Sequence, residues 1–402
     1  MEKSLALNYI ELKSGINIPH IIKYMGSKRN ILDSVVSAIN DCYTGYDVVD
    51  LFAGTAVLSC VLRDQTNVVS NDIQNYSKVL ANTYLGSYDW SRHPSLLDDV
   101  ISDAELHVES LKSKHPSLYF NYEKKIDLIQ FNELEKSQQM LINFDFEGLD
   151  FYLFTKYYSG TYWSYEQCLW IDALRKSIDK YKDTVYFNPL LSSLMFSMSY
   201  NSQSTGHYAQ YRVAKNEASM KDILIYRNKE ILPFFKRKFL ELQSSFASHS
   251  FNHKATSLDY LKCLDQIQPY STIYADPPYC FVHYSRFYHA LETLVLYDYP
   301  EVKHKGRYRI DRHQSPFSIK TQVSTAFELM FKSIKAKKSN LVLSYSNTGM
   351  IDLESLIKLA NKIFNKKYEV TVRYQNYSHS TMGRLKDKSR DVQECLIIVK
   401  ML

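Results

Sequence analysis

Ile273-Tyr274-Ala275-Asp276-Pro277-Pro278-Tyr279-Cys280 is the stretch whose reading decides the fold. A short apolar run of β-formers stops at an acid, two prolines and an aromatic. Proline has no N–H and a fixed φ, so neither proline can continue a central strand. The Asp276 carboxylate therefore belongs at the carboxyl end of a strand, ahead of a stiff loop. Open α/β sheets bind their ligands at that edge. Taken alone, the same residues would also suit a strand followed by an ordinary proline turn, so the rest of the chain has to decide.

Upstream, Asp47-Val48-Val49-Asp50-Leu51-Phe52-Ala53-Gly54-Thr55-Ala56-Val57-Leu58 reads as a buried strand, a small-residue turn and a helix. That is the first βα unit of a Rossmann-like sheet. It lacks G-x-G-x-x-G, which disfavours dinucleotide binding. Ala53 and Gly54 still let a ligand approach the backbone closely. Asp50, at the strand end, can accept from an ammonium or a hydroxyl. Asn67-Val68-Val69-Ser70-Asn71-Asp72 is the second strand, again ending in an acid. An acid roughly 20 residues after the turn is placed to hydrogen-bond ribose hydroxyls. Ahead of this unit, Lys23-Tyr24-Met25-Gly26-Ser27-Lys28-Arg29 leads into a helix with apolar positions 31, 32, 35, 36 and 39. Two cations at a helix start oppose its dipole and would be relieved by an anionic ligand; as an isolated feature this is a surface helix with solvated lysines.

The chain has 402 residues, is 45% hydrophobic and carries a formal charge of +6, which suits two or three domains and fits a nucleic-acid partner without requiring one. Six scattered cysteines show no Cys-x-x-Cys spacing, which argues against zinc and for reduced thiols in the cytoplasm. No charged leader or apolar run of membrane-spanning length is expected.

Residues 85–250 do not alternate strand and helix. They read as a helix-rich insertion, with an aromatic block at 151–165 more typical of core than of stacking platforms, a polar loop from Asn201 to Tyr208, and a basic patch (Lys229, Lys236, Arg237, Lys238) expected as a solvated helix face. The sheet resumes at 251, where Asp259 opens a helix. Residues 281–320 read as a long basic loop rich in aromatics and histidines, suited to phosphates and unstacked bases or to a mobile surface. Asn340–Ser346 is a further strand, Thr325–Ile334 and Leu353–Phe364 are helices, and Tyr368–Tyr374 with Gln393–Lys400 form an antiparallel hairpin at the sheet's edge.

Together these pieces resemble the Dam-type, D12-class N6-adenine-specific DNA methyltransferases. The resemblance rests on Tyr24-Met25-Gly26-Ser27-Lys28, on Asp50 to Thr55, on Asp72, on the insertion, and on Asp276-Pro277-Pro278-Tyr279, in that order. It implies an α/β fold: a Rossmann-like S-adenosylmethionine-dependent methyltransferase sheet with an inserted, mainly helical target-recognition domain. Residues 1–84 and 251–402 would form the catalytic domain and 85–250 the insertion. It implies S-adenosyl-L-methionine as cofactor, lined by Tyr24, Lys28, Asp50, Phe52, Ala53, Gly54, Asp72 and Asp259, with no metal. Double-stranded DNA is the implied partner, with a cognate restriction endonuclease as a further candidate, no membrane, and a monomer or weak dimer. Tyr24 stands where the family more often has Trp. Ala56 stands where a second glycine is frequent, which puts the path of that turn in question.

The chemistry explains why these residues are needed. The exocyclic amine of adenine shares its lone pair with the ring. Asp276 and the Pro277 carbonyl can accept its two N–H bonds and draw that pair out of conjugation, with the prolines fixing the geometry in advance. Tyr279 can stack on a base flipped from the duplex. The acid in the tetrapeptide favours adenine over cytosine N4. An RNA adenine, or a catalytically silent nucleic-acid-binding module on the same fold, are the competing readings.

Overall fold

The structure is a computed structural model and describes residues 11–15, 17–26, 28–123, 125–204, 206–279, 281, 284–375 and 394–402. Ser27, Thr205, Cys280, His283 and residues 376–391, which figured in the sequence expectations, lie outside the described residues.

Among the described residues nine strands occur in chain order: β1 (Val48–Asp50), β2 (Val68–Asn71), β3 (Lys254–Thr256), β4 (Thr272–Ala275), β5 (Val302–Lys303), β6 (Tyr308–Arg309), β7 (Asn340–Ser346), β8 (Tyr368–Gln375) and β9 (Glu394–Met401). β5 and β6 form a separate antiparallel ribbon. The other seven form one sheet in the order β3-β2-β1-β4-β7-β9-β8. β3, β2, β1, β4 and β7 pair in parallel, and β9 runs antiparallel between β7 and β8. β1, β4 and β7 are buried along their whole length, as strands covered on both faces must be, which is why they read as unbroken apolar runs.

The two faces are separated residue by residue. Along β9, Cys395, Ile397 and Val399 face the helices Tyr260–Gln266, Val323–Ala336 and Leu353–Phe364, together with Ile273, Leu341 and Leu343. Leu396 and Ile398 face the helices Leu32–Cys42 and Val57–Leu62, together with Val48, Val68, Tyr274 and Val342. The register aligns Leu343 with Ile397 and Ser346 with Glu394. The parallel strands end at one edge of the sheet. Because β9 is reversed, its first residue, Glu394, arrives at that same edge.

The stretch 85–250 is helical, as its pattern predicted, with the longest helices at Leu96–Lys114, Tyr165–Asp179, Phe187–Asn201 and Ile231–Ser245. It packs on the sheet-flanking helix Asn75–Leu85, where the Thr83 and Ser192 hydroxyls meet at 2.7 Å. The aromatic block is core: Phe154, Tyr158, Tyr162 and Trp163 are fully buried. In the basic patch Lys236 and Arg237 are exposed as expected. Lys238 is not, because it pairs with Glu241 at 2.5 Å and lies over the Phe196 ring.

The expectation of a long loop over 281–320 is overturned. The described part contains the helices Tyr284–Phe287 and His289–Leu296, the β5–β6 ribbon and a short turn at Pro316–Ser318. Among its aromatics Tyr288 and His289 are fully buried, whereas Phe281 is exposed. Arg307 is captured by the carbonyl of Gln139 at 2.7 Å, so that cation is structural. A cation interleaved with aromatics reads the same in sequence whether its partner is a phosphate or a carbonyl of its own chain.

The five described cysteines are buried and unpaired. Among the described residues no helix is long and apolar enough to cross a membrane. Since Ile397 is fully buried at the centre of one layer, Ile397→Ala should cost about 3 kcal/mol, read as a lowered urea midpoint at unchanged slope.

Candidate active site

A cleft of about 1290 Å³, its open mouth included, lies at the carboxyl edge of the parallel strands. Sheet topology explains its contents. The first strand delivers Asp50, the next delivers Asp72 one residue past its end, the third is followed by Asp259 and the fourth by Asp276. All twelve residues expected at the site line this one cleft: Tyr24, Lys28, Asp50, Phe52, Ala53, Gly54, Asp72, Asp259, Asp276, Pro277, Pro278 and Tyr279.

The turn after β1 is held from both sides. Ala53 N–H donates to the Asn71 carbonyl at 2.8 Å, and Ala56 N–H to the Ala53 carbonyl at 2.7 Å. Ala56 sits at φ +54°, so alanine here takes the left-handed path that glycine adopts more cheaply, and the turn keeps its form. Gly54 has φ +52°, and a Cβ there would come within 3.1 Å of the Tyr24 hydroxyl. Tyr24 itself stacks against Tyr288 at 4.7 Å and Tyr284 at 5.7 Å, which fixes its ring beside the turn. Phe52 stacks on Tyr260 and meets Phe317 edge-on.

Each acid has a distinct setting. Asp72 accepts from Gly54 N–H through Oδ2 and from Gln74 N–H through Oδ1, both at 2.9 Å. Burial still pushes its carboxyl up to about 6, against the relief of those bonds. Asp50 accepts from the Ser59 hydroxyl at 2.8 Å, and burial, with the neighbouring Asp276 and Asp72, pushes it up to about 7. Asp259 caps its helix by accepting from Leu261 N–H at 2.9 Å. Asp276 is raised by burial, lowered by Lys28 and raised again by Glu394, ending at about 6.

Lys28 departs from the sequence expectation. Its side chain is only 12% exposed, and its Nζ stands 3.3 Å from Asp276 Oδ1 and 3.1 Å from Glu394 Oε1. Burial alone would lower its pKa, but the facing carboxylates outweigh that and raise it, so the ammonium stays charged. Arg29 donates to the Ile18 and Pro19 carbonyls at 2.9 and 3.1 Å. The two cations at this helix start are thus neither solvated nor waiting for an anion. Tyr279 donates its hydroxyl to Glu394 at 3.1 Å and rests edge-on against Tyr345, while Met350 N–H holds its carbonyl at 2.9 Å.

Sequence reasoning missed Glu394, which is 2% exposed. Its only local signal was a lone acid heading the apolar run Cys395-Leu396-Ile397-Ile398-Val399. It also missed Tyr76 and His313 among the cleft residues, and Asn71, whose side chain ties three strands together. Asn71 donates to the Leu51 and Leu258 carbonyls and accepts from the Thr256 hydroxyl and Leu258 N–H.

Comparison with known proteins gives a family and several relatives. The family model described as "D12 class N6 adenine-specific DNA methyltransferase" matches residues 24–356. Modification methylase LlaI of Lactococcus lactis subsp. lactis is 27% identical over 388 residues, covering 94% of this chain and 55% of that protein. Type II methyltransferase M.FokI of Planomicrobium okeanokoites is 24% identical over 352 residues, covering 84% and 47%. Type II methyltransferase M.NlaIII of Neisseria lactamica is 21% identical over 393 residues, covering 94% and 99%. The chain thus spans about half the length of the first two relatives and nearly all of the third.

An acid whose folded pKa is raised makes its favourable contribution below its unfolded pKa and loses it as pH rises through the folded value. For Asp50 that window runs from 3.8 to about 7. Asp50→Asn should therefore exceed the parent's stability at about pH 8, by at most about 4 kcal/mol. The advantage should fade as pH falls across that window, measured by thermal melts at stepped pH.

Proposed function

This chain belongs to the D12 class of N6 adenine-specific DNA methyltransferases, and we propose that it transfers a methyl group from S-adenosyl-L-methionine to the N6 of an adenine flipped out of double-stranded DNA. The observation that carries this is the position of Asp276. It stands in the same cleft as the Asp50–Thr55 turn and Asp72, buried enough to be raised to about 6 yet reachable from the opening.

The lining of the cleft fits the cofactor in kind. A bare Gly54 lies under Tyr24, Phe52 offers an aromatic face, and Asp72 and Asp259 stand at successive strand ends. Tyr24, Phe52, Ala53, Gly54, Asp72 and Asp259 would hold the group, with Asp50 beneath it. Lys28 we reassign from the cofactor to the catalytic carboxylate, because its ammonium is taken by Asp276 and Glu394.

When bound, the cofactor supplies an electrophilic methyl on a sulfonium. At neutral pH most Asp276 carboxylates are ionised and accept one N–H of the amine; the Pro277 carbonyl accepts the other. The amine's lone pair is thereby freed. Once N6 carries the methyl, the proton it must lose would leave by way of Asp276 to water. Tyr279 stacks on the extruded ring, whose flipping is required because the amine is inaccessible inside the duplex. Chemistry of this kind rests on alignment and fixed dipoles.

In the cell we place the protein in the cytoplasm, as the modification arm of a type II restriction-modification pair with a cognate endonuclease. The names "modification methylase" and "type II methyltransferase" of its relatives support that context. The helical stretch 85–250 is then its target-recognition region.

The test is transfer of a radiolabelled methyl to duplex DNA and to RNA, with the modified base identified. Asp276→Ala should lower transfer to adenine at least about a hundredfold while the melting curve is retained. Undiminished transfer by that variant would refute the role. Asp72→Ala should weaken cofactor binding by about tenfold or more, and calorimetry giving the parent's affinity would reject Asp72 as a cofactor residue.

A further inference from the structure

Glu394 is an acid at the head of a strand whose next five residues are apolar. A carboxylate placed there for packing alone would be a poor choice, since burying a charge costs several kcal/mol before any partner is found. It lies beyond residues 24–356, the span matched to the family. Yet its Oε1 receives two donors, the Lys28 ammonium and the Tyr279 hydroxyl, each at 3.1 Å. The same ammonium stands 3.3 Å from Asp276 Oδ1. One carboxylate oxygen therefore touches the cation that restrains the tetrapeptide's acid and the ring that closes the tetrapeptide.

We propose that Glu394 is a positioning residue for methyl transfer: it shares the Lys28 ammonium so that Asp276 stays a strong acceptor, and it anchors the Tyr279 ring in the plane a flipped base would meet. This rests on the assignment of Asp276 to adenine methylation. The physics is competition for one cation. An ammonium devoted to Asp276 alone would draw off its electron density and weaken its hold on the amine's N–H. A second carboxylate on the far side of the ammonium divides that pull. Raising by Glu394 and lowering by Lys28 are both felt at Asp276.

The charged and titratable groups facing Asp276 come from several elements. They are Lys28 on the turn before the first long helix, Glu394 on β9, Tyr279 in its own loop, Tyr274 on β4 and Asp50 on β1, with the Ser344 hydroxyl from β7. Among the described residues Glu394 bonds both the ammonium and the ring.

Glu394→Gln tests this in the full chain, because the amide keeps an oxygen for Tyr279 and deletes the charge. Single-turnover transfer to an adenine duplex is followed from about pH 5 to about pH 9 with cofactor and DNA saturating. The expected result is a rate about tenfold lower at neutral pH, an acid limb moved down by about one pH unit, and a cofactor affinity by calorimetry within about twofold of the parent. An acid limb at the parent's position, whatever the rate, would overturn the proposal, since a merely structural residue lowers stability without moving that limb. Lys28→Gln supplies a second reading should the first variant fold poorly. Removing the cation should move the limb upward, and an unmoved limb would equally overturn the sharing. The parent reports on the enzymatic assignment by itself. A parent with no adenine transfer removes that assignment and Glu394's role with it, whereas an active parent with unmoved variants removes only the role.

Discussion

One buried ammonium holds the reactive end of this protein together. Lys28 lies between Asp276 and Glu394, with the Tyr279 ring 5.3 Å from its Nζ. Four acids line the same cleft, and burial raises three of them: Asp50 to about 7, Asp72 and Asp276 to about 6. Like charges crowded in a poorly solvated space repel, and the repulsion is relieved by partial protonation, by hydrogen bonds or by a cation. The chain uses hydrogen bonds for Asp50 and Asp72 and a cation for Asp276. That difference sorts them by task. The first two accept from the protein's own hydroxyl and backbone donors beside the turn. The third is held by an ion pair and can be approached.

The aromatic content has a similar division. Most of the rings in 151–165, with Tyr208 and Tyr288, are consumed in a core that joins the helical stretch to the sheet. Others line the cleft, among them Tyr24, Phe52, Tyr260, Tyr279 and Tyr284. Those rings are braced by neighbours, as Tyr24 is by Tyr288 and Phe52 by Phe317, so a planar ligand would meet surfaces already set in place.

Much of this was legible in the sequence because it is local. Strand periodicity, the turn at Ala53–Gly54, the acid that follows each strand and the two prolines after Asp276 are each fixed within a few residues. Their order along the chain then implied one sheet edge and one cleft. What escaped the reading is long-range. Lys28 looked like a cation at a helix start because the partner that neutralises it lies 366 residues away. Glu394 looked like a stray acid because its arrival at the edge depends on β9 running backwards between β7 and β8, a fact of topology and not of spacing. The stretch 281–320 looked like an open basic loop because nothing local says that Arg307 is answered by a carbonyl of Gln139. Ala56 shows the reverse case: composition questioned the turn, and the backbone took the left-handed path regardless.

The reversed strand also carries a liability of its own. β9 presents apolar side chains to both layers, Cys395, Ile397 and Val399 to one and Leu396 and Ile398 to the other. Hydrophobic patterning pins a strand's alignment only when its two sides differ in polarity. Here they do not, so polarity alone would not oppose a slide of one residue against β7, and the close fit of both layers has to hold the alignment. The same slide would carry the acid at its head out of line with Ser346. Insertions or deletions in the preceding connection thus threaten the contacts of Glu394 with Lys28 and Tyr279 as well as the packing of β9.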